Sequence, residues 1–508
     1  MQALSNARVY RYDPAAATYS RHDGMVIDDE RIVSLDPHEA GAGIPVRDMG
    51  GATIVPAFAD CHVHLTDTGY FLDERWLGGA RSYDEFARAV ARIPQDTFVL
   101  AGQYDESVWQ DGRAADAAPL ERFFGDAYAM LVRVDGHSCI VNRKTFSWLN
   151  LSPDTTGIER DEQGEPTGKL FLEANWRAQS AFMAALPERT KREADIRATK
   201  LALSRGYLHL HVQFVGLPRE RYAQEIAALA TLPPAKWYPK MCEPEPRLAQ
   251  QLGLPYIGGD VFLDGSIGSC TAAVTEPFLT TGGAGELKYG DDEVFAYFSS
   301  AEALGISAGV HAIGDRAIEQ CIAAWERVLG GKPSARGNRH FIEHFEIAKP
   351  QHIEACARMG IYLSMQPQFD ELWGGAGRMY EARLGAQRMR SMNALGRAQR
   401  AGAMLCGGDD SPVCNLSPLE GMQAAVDHHE PAERLTSAQA VTMYTYNAAM
   451  LGHAERSTGI LAPGYAADFV VLDRDPFEGA RFTDCTVLAT WADGAALYEP
   501  SALAESSK

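Results

Sequence analysis

Ala52-Thr53-Ile54-Val55-Pro56-Ala57-Phe58-Ala59-Asp60-Cys61-His62-Val63-His64 joins an apolar run to a His-x-His pair. An extended strand sends alternate side chains to the same side, so His62 and His64 project together from one strand end. Two adjacent neutral imidazoles make half of a site for zinc or a similar ion. Taken alone, the pair reads more readily as two ordinary strand histidines bonded to backbone. Its weight comes from further ligand-type residues later in the chain, each at the end of its own apolar run.

Counting the run before His62, eight short apolar runs follow one another. The other seven lie at 207–212, 237–241, 261–263, 306–310, 340–342, 361–364 and 403–406. Helical patterns accompany them at 83–93, 189–205, 219–231, 292–304 and 317–329. A last helix starts at the Thr436-Ser437-Ala438-Gln439 capping box and runs to Leu451, with Gly452 as its C-cap. Eight strands alternating with helices predict an α/β fold, a (β/α)8 TIM barrel whose chemistry sits at the C-terminal strand ends. A doubly wound open sheet is the rival.

Residues 67–185 interrupt the alternation and are too long for a βα loop. They carry Trp76, Trp109, Trp148 and Trp176 among turn residues, and are expected to form an inserted lid or subdomain. Both ends of the chain are rich in strand patterns, Ala7-Arg8-Val9-Tyr10 at one and Asp468-Phe469-Val470-Val471-Leu472 at the other, so the termini are expected to meet in one small β domain. The expected boundaries are 1–56 for its first part, 57–454 for the barrel with the 67–185 insertion, and 455–508 for its second part and the C-terminal tail.

Bulk properties bound the function. A chain of 508 residues with 46% hydrophobic and 22% charged residues has the composition of a globular protein with more than one small core. A net charge of −20 argues against nucleic acid or an anionic membrane as partner. No apolar run reaches the roughly 18 residues of a membrane span, and the opening residues lack the order of a secretory leader. The nine cysteines never fall in Cys-x-x-Cys spacing, which points to a reducing cytoplasm.

The strand ends carry the chemistry. Run five ends in Gly309-Val310-His311, run six in Ile342-Glu343-His344 and run eight in Gly407-Gly408-Asp409-Asp410. Singly, each is a polar strand-end residue or a cap. Together with His62 and His64, the histidines at 311 and 344 and the aspartate at 410 make a ligand constellation.

These stretches, with Asp135-Gly136-His137, Phe262-Leu263-Asp264-Gly265-Ser266-Ile267-Gly268-Ser269, Met365-Gln366-Pro367 and Asp410-Ser411-Pro412-Val413, resemble the amidohydrolase superfamily. The likeness is to its family 3, the branch of N-substituted formamide deformylase-like and YtcJ-like proteins, and it runs in order along nearly the whole chain. The resemblance implies a metal-carrying barrel flanked by a β-sandwich built from both termini, and a homodimer. It makes His62, His64, His311, His344 and Asp410 ligands of a divalent metal, zinc above others. Asp410 would also be the catalytic general acid/base. His137 and His211 would meet the substrate. Apart from the resemblance, the aromatics Trp109, Phe369 and Trp373 are candidates to shape the pocket, with core or lid packing as their default reading.

One position departs from the pattern. Binuclear relatives of this branch place a lysine just before the Phe-x-Asp-Gly run, where its carbamate bridges two metals, and here Asp260 stands in its place. The shorter side chain cannot simply take over the bridge. Three outcomes stay open: a single ion, coordination by Asp260 after a backbone shift, or a bridge from Lys240 or Glu243 on strand three. The expected activity is hydrolysis of a non-peptide C–N bond in a small molecule, an amide, formamide or relative. A metal-assisted lyase or isomerase on the same barrel, or a non-catalytic binding homologue, are the alternatives.

Overall fold

The computed structural model of the protein describes residues 1–500, so the end of the expected C-terminal tail, 501–508, lies outside the described residues. The fold is mixed α/β. The short apolar runs form two parallel sheets. One has three strands, Lys236–Met241, Tyr207–Phe214 and Phe58–Val63 in spatial order. The other has five, in chain order: Tyr256–Ile257, Ser307–Ala312, Phe341–His344, Tyr362–Met365 and Met404–Gly407. The sheets adjoin at both edges. Gly258 N donates to Met241 O (3.0 Å) on one side. On the other, Asp410 N donates to His62 O (2.8 Å) and Val63 pairs in parallel with Ser411.

Two elements differ from the sequence reading. Strand four lies at Tyr256–Ile257, and the expected run 261–263 keeps only an isolated Phe262–His311 bridge. The cause is Gly258-Gly259, whose φ values of 92° and 106° end the extended backbone. The last helix is two, Ser437–Met443 and Tyr446–Leu451. The Thr436/Gln439 capping box is present, but Thr445 (φ −129°, ψ −90°) leaves helical geometry between them.

Strands from both chain ends share one seven-stranded sheet. Its order is Ala495–Tyr498, Val487–Ala492, Phe469–Leu472, Val46–Pro56, Gln2–Asp13, Thr18–Asp28 and Arg31–Ser34. Leu4, Val9, Ile27, Ile54, Phe469 and Trp491 are buried together in a core belonging to this sheet. Inside 67–185, a five-stranded sheet runs from Phe98–Tyr104 to Ile158–Arg160 and carries helices on its faces. Fully buried Arg133 ties this segment to the rest. It pairs with Asp105, Glu106 and Asp135 at 3.0 Å each. Asp135 accepts in turn from Ser266 and Ser269 (2.7 Å each), and Trp373 Nε1 donates to Asp105 (3.0 Å). No helix among the described residues is long and apolar enough to cross a membrane.

Candidate metal centre

Four of the parallel strands deliver polar side chains at or just beyond their C-terminal ends. His62 and His64 close the Phe58–Val63 strand with ring centroids 5.3 Å apart; His62 is wholly buried and the His64 side chain 19% exposed. His311 lies near the end of Ser307–Ala312, His344 ends Phe341–His344, and Asp410 follows Met404–Gly407. His344 (φ 71°) and Asp410 (φ 53°) both hold left-handed backbone. Such strain costs on the order of 1–3 kcal/mol and gathers where a site over-determines the chain. Two backbone bonds staple the strand-one and strand-eight ends together: Asp410 N to His62 O (2.8 Å) and His64 N to Ser411 O (2.9 Å).

All five expected ligands converge, and Asp260 stands at their centre. Asp260 Oδ2 is 3.2 Å from Nε2 of both His62 and His64; Oδ1 is 3.5 Å from His311 Nδ1 and 3.7 Å from His344 Nε2. Asp410 Oδ1 lies 3.0 Å from His64 Nε2 and 3.3 Å from His62 Nε2. Burial pushes the Asp410 carboxyl up, but His62 and His64 outweigh it and hold it well below the usual carboxylate range. Asp260 is likewise held low against its burial, by His62, His311 and His344.

Three of the four rings have a polar neighbour on their outer side. Glu343 Oε2 lies 3.0 Å from His62 Nδ1, Gln366 Oε1 2.9 Å from His344 Nδ1, and His311 Nε2 3.2 Å from Gly265 O. Asp60 accepts from the backbone N–H of His62 (2.9 Å) and Asp409 (3.1 Å), and Asp409 accepts from Tyr207 OH (2.6 Å). This outer support is what metal-ligating imidazoles need for a fixed tautomer and orientation.

The donor set fits a divalent ion. Asp260 Oδ1, Asp410 Oδ1 and His311 Nδ1 are buried and have no hydrogen-bond partner, an arrangement that costs free energy unless something else satisfies them. Within this cluster, three groups of three side chains have ligand atoms within 4.8 Å of one another: His62-His64-Asp260, His62-His344-Asp410 and Asp260-His311-His344. Imidazole and carboxylate donors of this kind suit zinc.

Several expectations change. Lys240 is fully buried, but its Nζ sits 4.1 Å from the ring centroids of Tyr256 and Phe341, outside ion-pair distance of the cluster. Burial pulls that ammonium down to about 8. Glu243 pairs with Arg219 at 2.8 Å instead. Neither supplies a bridge. His211 is not on the cavity wall: its strand continues to Phe214, two residues beyond the expected end, which leaves His211 mid-strand and stacked on Tyr238 (4.5 Å). Gln213 takes the strand-end place, and its Oε1 accepts from Asp260 N (3.4 Å). Trp109 is buried in the core of the 67–185 segment.

Over the cluster lies a cavity with His64, Asp260, His311, His344 and Asp410 on its floor. Phe71, Leu100, Met130, Val132 and Trp176 of the 67–185 segment form an apolar wall, joined by Phe262. His137 lines it as well, 5.3 Å from the His311 ring. Burial, then the neighbouring His311, pull its imidazole down to about 3, so it is neutral at ordinary pH. An adjoining cavity shares His137, His311, His344 and Asp410, and adds Phe369, Trp373, Glu346 and Tyr380. Tyr380 OH donates to Glu346 (2.5 Å).

Sequence reasoning missed Glu343, Gln366, Glu346 and the central place of Asp260. Glu343 stands beside His344 in the Ile-Glu-His stretch and Gln366 inside the Met-Gln-Pro stretch, and that placement was their only signal. Gly259 is a test of how Asp260 is placed. A Cβ there would strike Gln213 Oε1, and its φ is 106°. Gly259→Ala is expected to cost about 1–3 kcal/mol of stability and to lower bound metal, checked by denaturant unfolding and elemental analysis.

Known proteins match the chain over most of its length. The amidohydrolase family matches residues 45–498. YtcJ of Bacillus subtilis (strain 168) is 29% identical, over 89% of this chain and 90% of that protein. N-substituted formamide deformylase of Arthrobacter pascens is 27% identical, over 92% and 93%. The crystal structure of an uncharacterized metal-dependent hydrolase from Pyrococcus furiosus superposes with a TM-score of 0.72 at 26% identity, over 94% of this chain and 99% of that one. The chain belongs to the amidohydrolase family, and with it to the hydrolases that act on carbon–nitrogen bonds.

Proposed function

We propose that the protein is a metal-dependent hydrolase of a non-peptide C–N bond in a small molecule, a formamide or related amide. The observation that carries this reading is the convergence of four histidines and two aspartates, all but His62 lining the floor of one cavity. His62, His64, His311, His344 and Asp410 would hold a divalent ion, zinc above others. When bound, such an ion supplies Lewis acidity toward a carbonyl oxygen and lowers the pKa of water toward ~7. Asp410, ionised and facing the cavity, accepts the proton of the attacking water and returns it to the leaving amine. His137, neutral and on the wall, orients the substrate by hydrogen bonding. The apolar wall of Phe71, Leu100, Met130 and Trp176 takes up an apolar N-substituent and keeps bulk water from it.

The same proposal covers the architecture. The two parallel sheets, adjoining at both edges, are one closed (β/α)8 barrel with its active site at the C-terminal strand ends. The terminal sheet, wrapped over its own core, is the flanking β-sandwich, and 67–185 is the lid. Nine free cysteines support a cytoplasmic location, and a homodimer is the proposed assembly. The test is a screen of N-formyl, N-acyl and cyclic-amide compounds, following amine release. Release that stops on chelation and returns with zinc is expected; no release from any class, or release indifferent to chelation, would overturn the reading.

A further inference from the structure

Asp260 divides the four histidines between its two oxygens. Oδ2 faces His62 and His64, both at 3.2 Å, while Oδ1 faces His311 at 3.5 Å and His344 at 3.7 Å. Asp260 thus belongs to two three-donor groups, His62-His64-Asp260 and Asp260-His311-His344, and these share no other residue. The third group, His62-His344-Asp410, shows that the two sets adjoin. Four imidazoles and two carboxylates exceed the four donors of a tetrahedral zinc ion. Oδ1, buried and without a hydrogen-bond partner, is the oxygen that neighbours the second set.

The backbone explains how so short a side chain reaches the centre. The chain leaves its strand after Ile257 and turns through Gly258 (φ 92°) and Gly259 (φ 106°), two conformations that favour glycine. It passes so close to its neighbours that a Cβ at Gly258 would strike Gly309 O and one at Gly259 would strike Gln213 Oε1. The Gln213 side chain then fixes the Asp260 amide (3.4 Å). An inward step of the main chain thus replaces side-chain length.

We infer that Asp260 is an unmodified carboxylate bridge between two divalent ions, one held with His62, His64 and Asp410 and the other with His311 and His344. The inference rests on the metal-dependent reading above. Its test is titration of Co2+ into the chelator-stripped full chain, with the bound equivalents counted and the paramagnetic spectrum recorded. The unsubstituted protein is expected to bind two equivalents whose spins are exchange-coupled; Asp260→Asn is expected to bind at most one, with an isolated-ion spectrum. One equivalent in the unsubstituted chain, two uncoupled ions, or a coupled pair persisting in Asp260→Asn would each overturn the bridge while leaving metal dependence intact. No bound Co2+ at all would overturn both. Count and coupling in the unsubstituted chain decide the matter even where Asp260→Asn fails to fold.

Discussion

Replacing Asp410 by Asn is expected to lower kcat by about 10²–10⁴-fold, the range a positioned general acid/base supplies, while bound metal stays near its original level. The carboxylate lies 3.0 and 3.3 Å from two imidazoles that Asp260 also contacts, at 3.2 Å each. The amide keeps the size and one oxygen donor of the aspartate, so the cluster loses little of its shape. What it loses is the ability to take a proton at neutral pH. Steady-state kinetics on any substrate found by amine release, with elemental analysis of the same preparations, checks this. Turnover within tenfold of the parent would remove Asp410 from proton transfer. Parallel loss of metal and turnover would make it a ligand alone.

His62→Ala is expected to have the largest effect on stability, about 3–5 kcal/mol in the metal-free protein, as when one partner of a buried charge pair is removed. His62 is wholly buried and lies within 3.3 Å of three carboxylates: Glu343 at 3.0 Å, Asp260 at 3.2 Å and Asp410 at 3.3 Å. Burial alone would push its imidazole down. Asp260, Glu343 and Asp410 overcome that and hold it well above its ordinary value, and of the raised imidazoles it is the one that faces all three carboxylates. Denaturant unfolding of chelator-stripped protein measures the loss. A change below about 1 kcal/mol would mean that other groups balance these charges.

The sequence disclosed the site better than the backbone around it. His62, His64, His311, His344 and Asp410 were legible because each ends a short apolar run, and a parallel strand end leaves few places for a polar side chain to go. Strand four was placed too late because an apolar run, Val261-Phe262-Leu263, follows the two glycines that in fact end the strand. That same turn carries Asp260 inward, so a position that looked too short for the centre occupies it. His211 shows the converse limit. Height along a strand depends on where the strand ends, and two further residues set His211 back from the mouth. Glu343 and Gln366 act through neighbouring imidazoles, and nothing in their spacing distinguishes that from ordinary burial.

The most direct test of the metal-dependent reading is the metal content of the purified chain. Protein from zinc-supplemented culture, assayed by elemental mass spectrometry, is expected to carry at least one equivalent of divalent metal per chain, and the His62→Ala/His64→Ala variant close to none. An unsubstituted, folded protein with no stoichiometric metal, or a double variant that keeps its full complement, would contradict the assignment of this cluster as the metal centre.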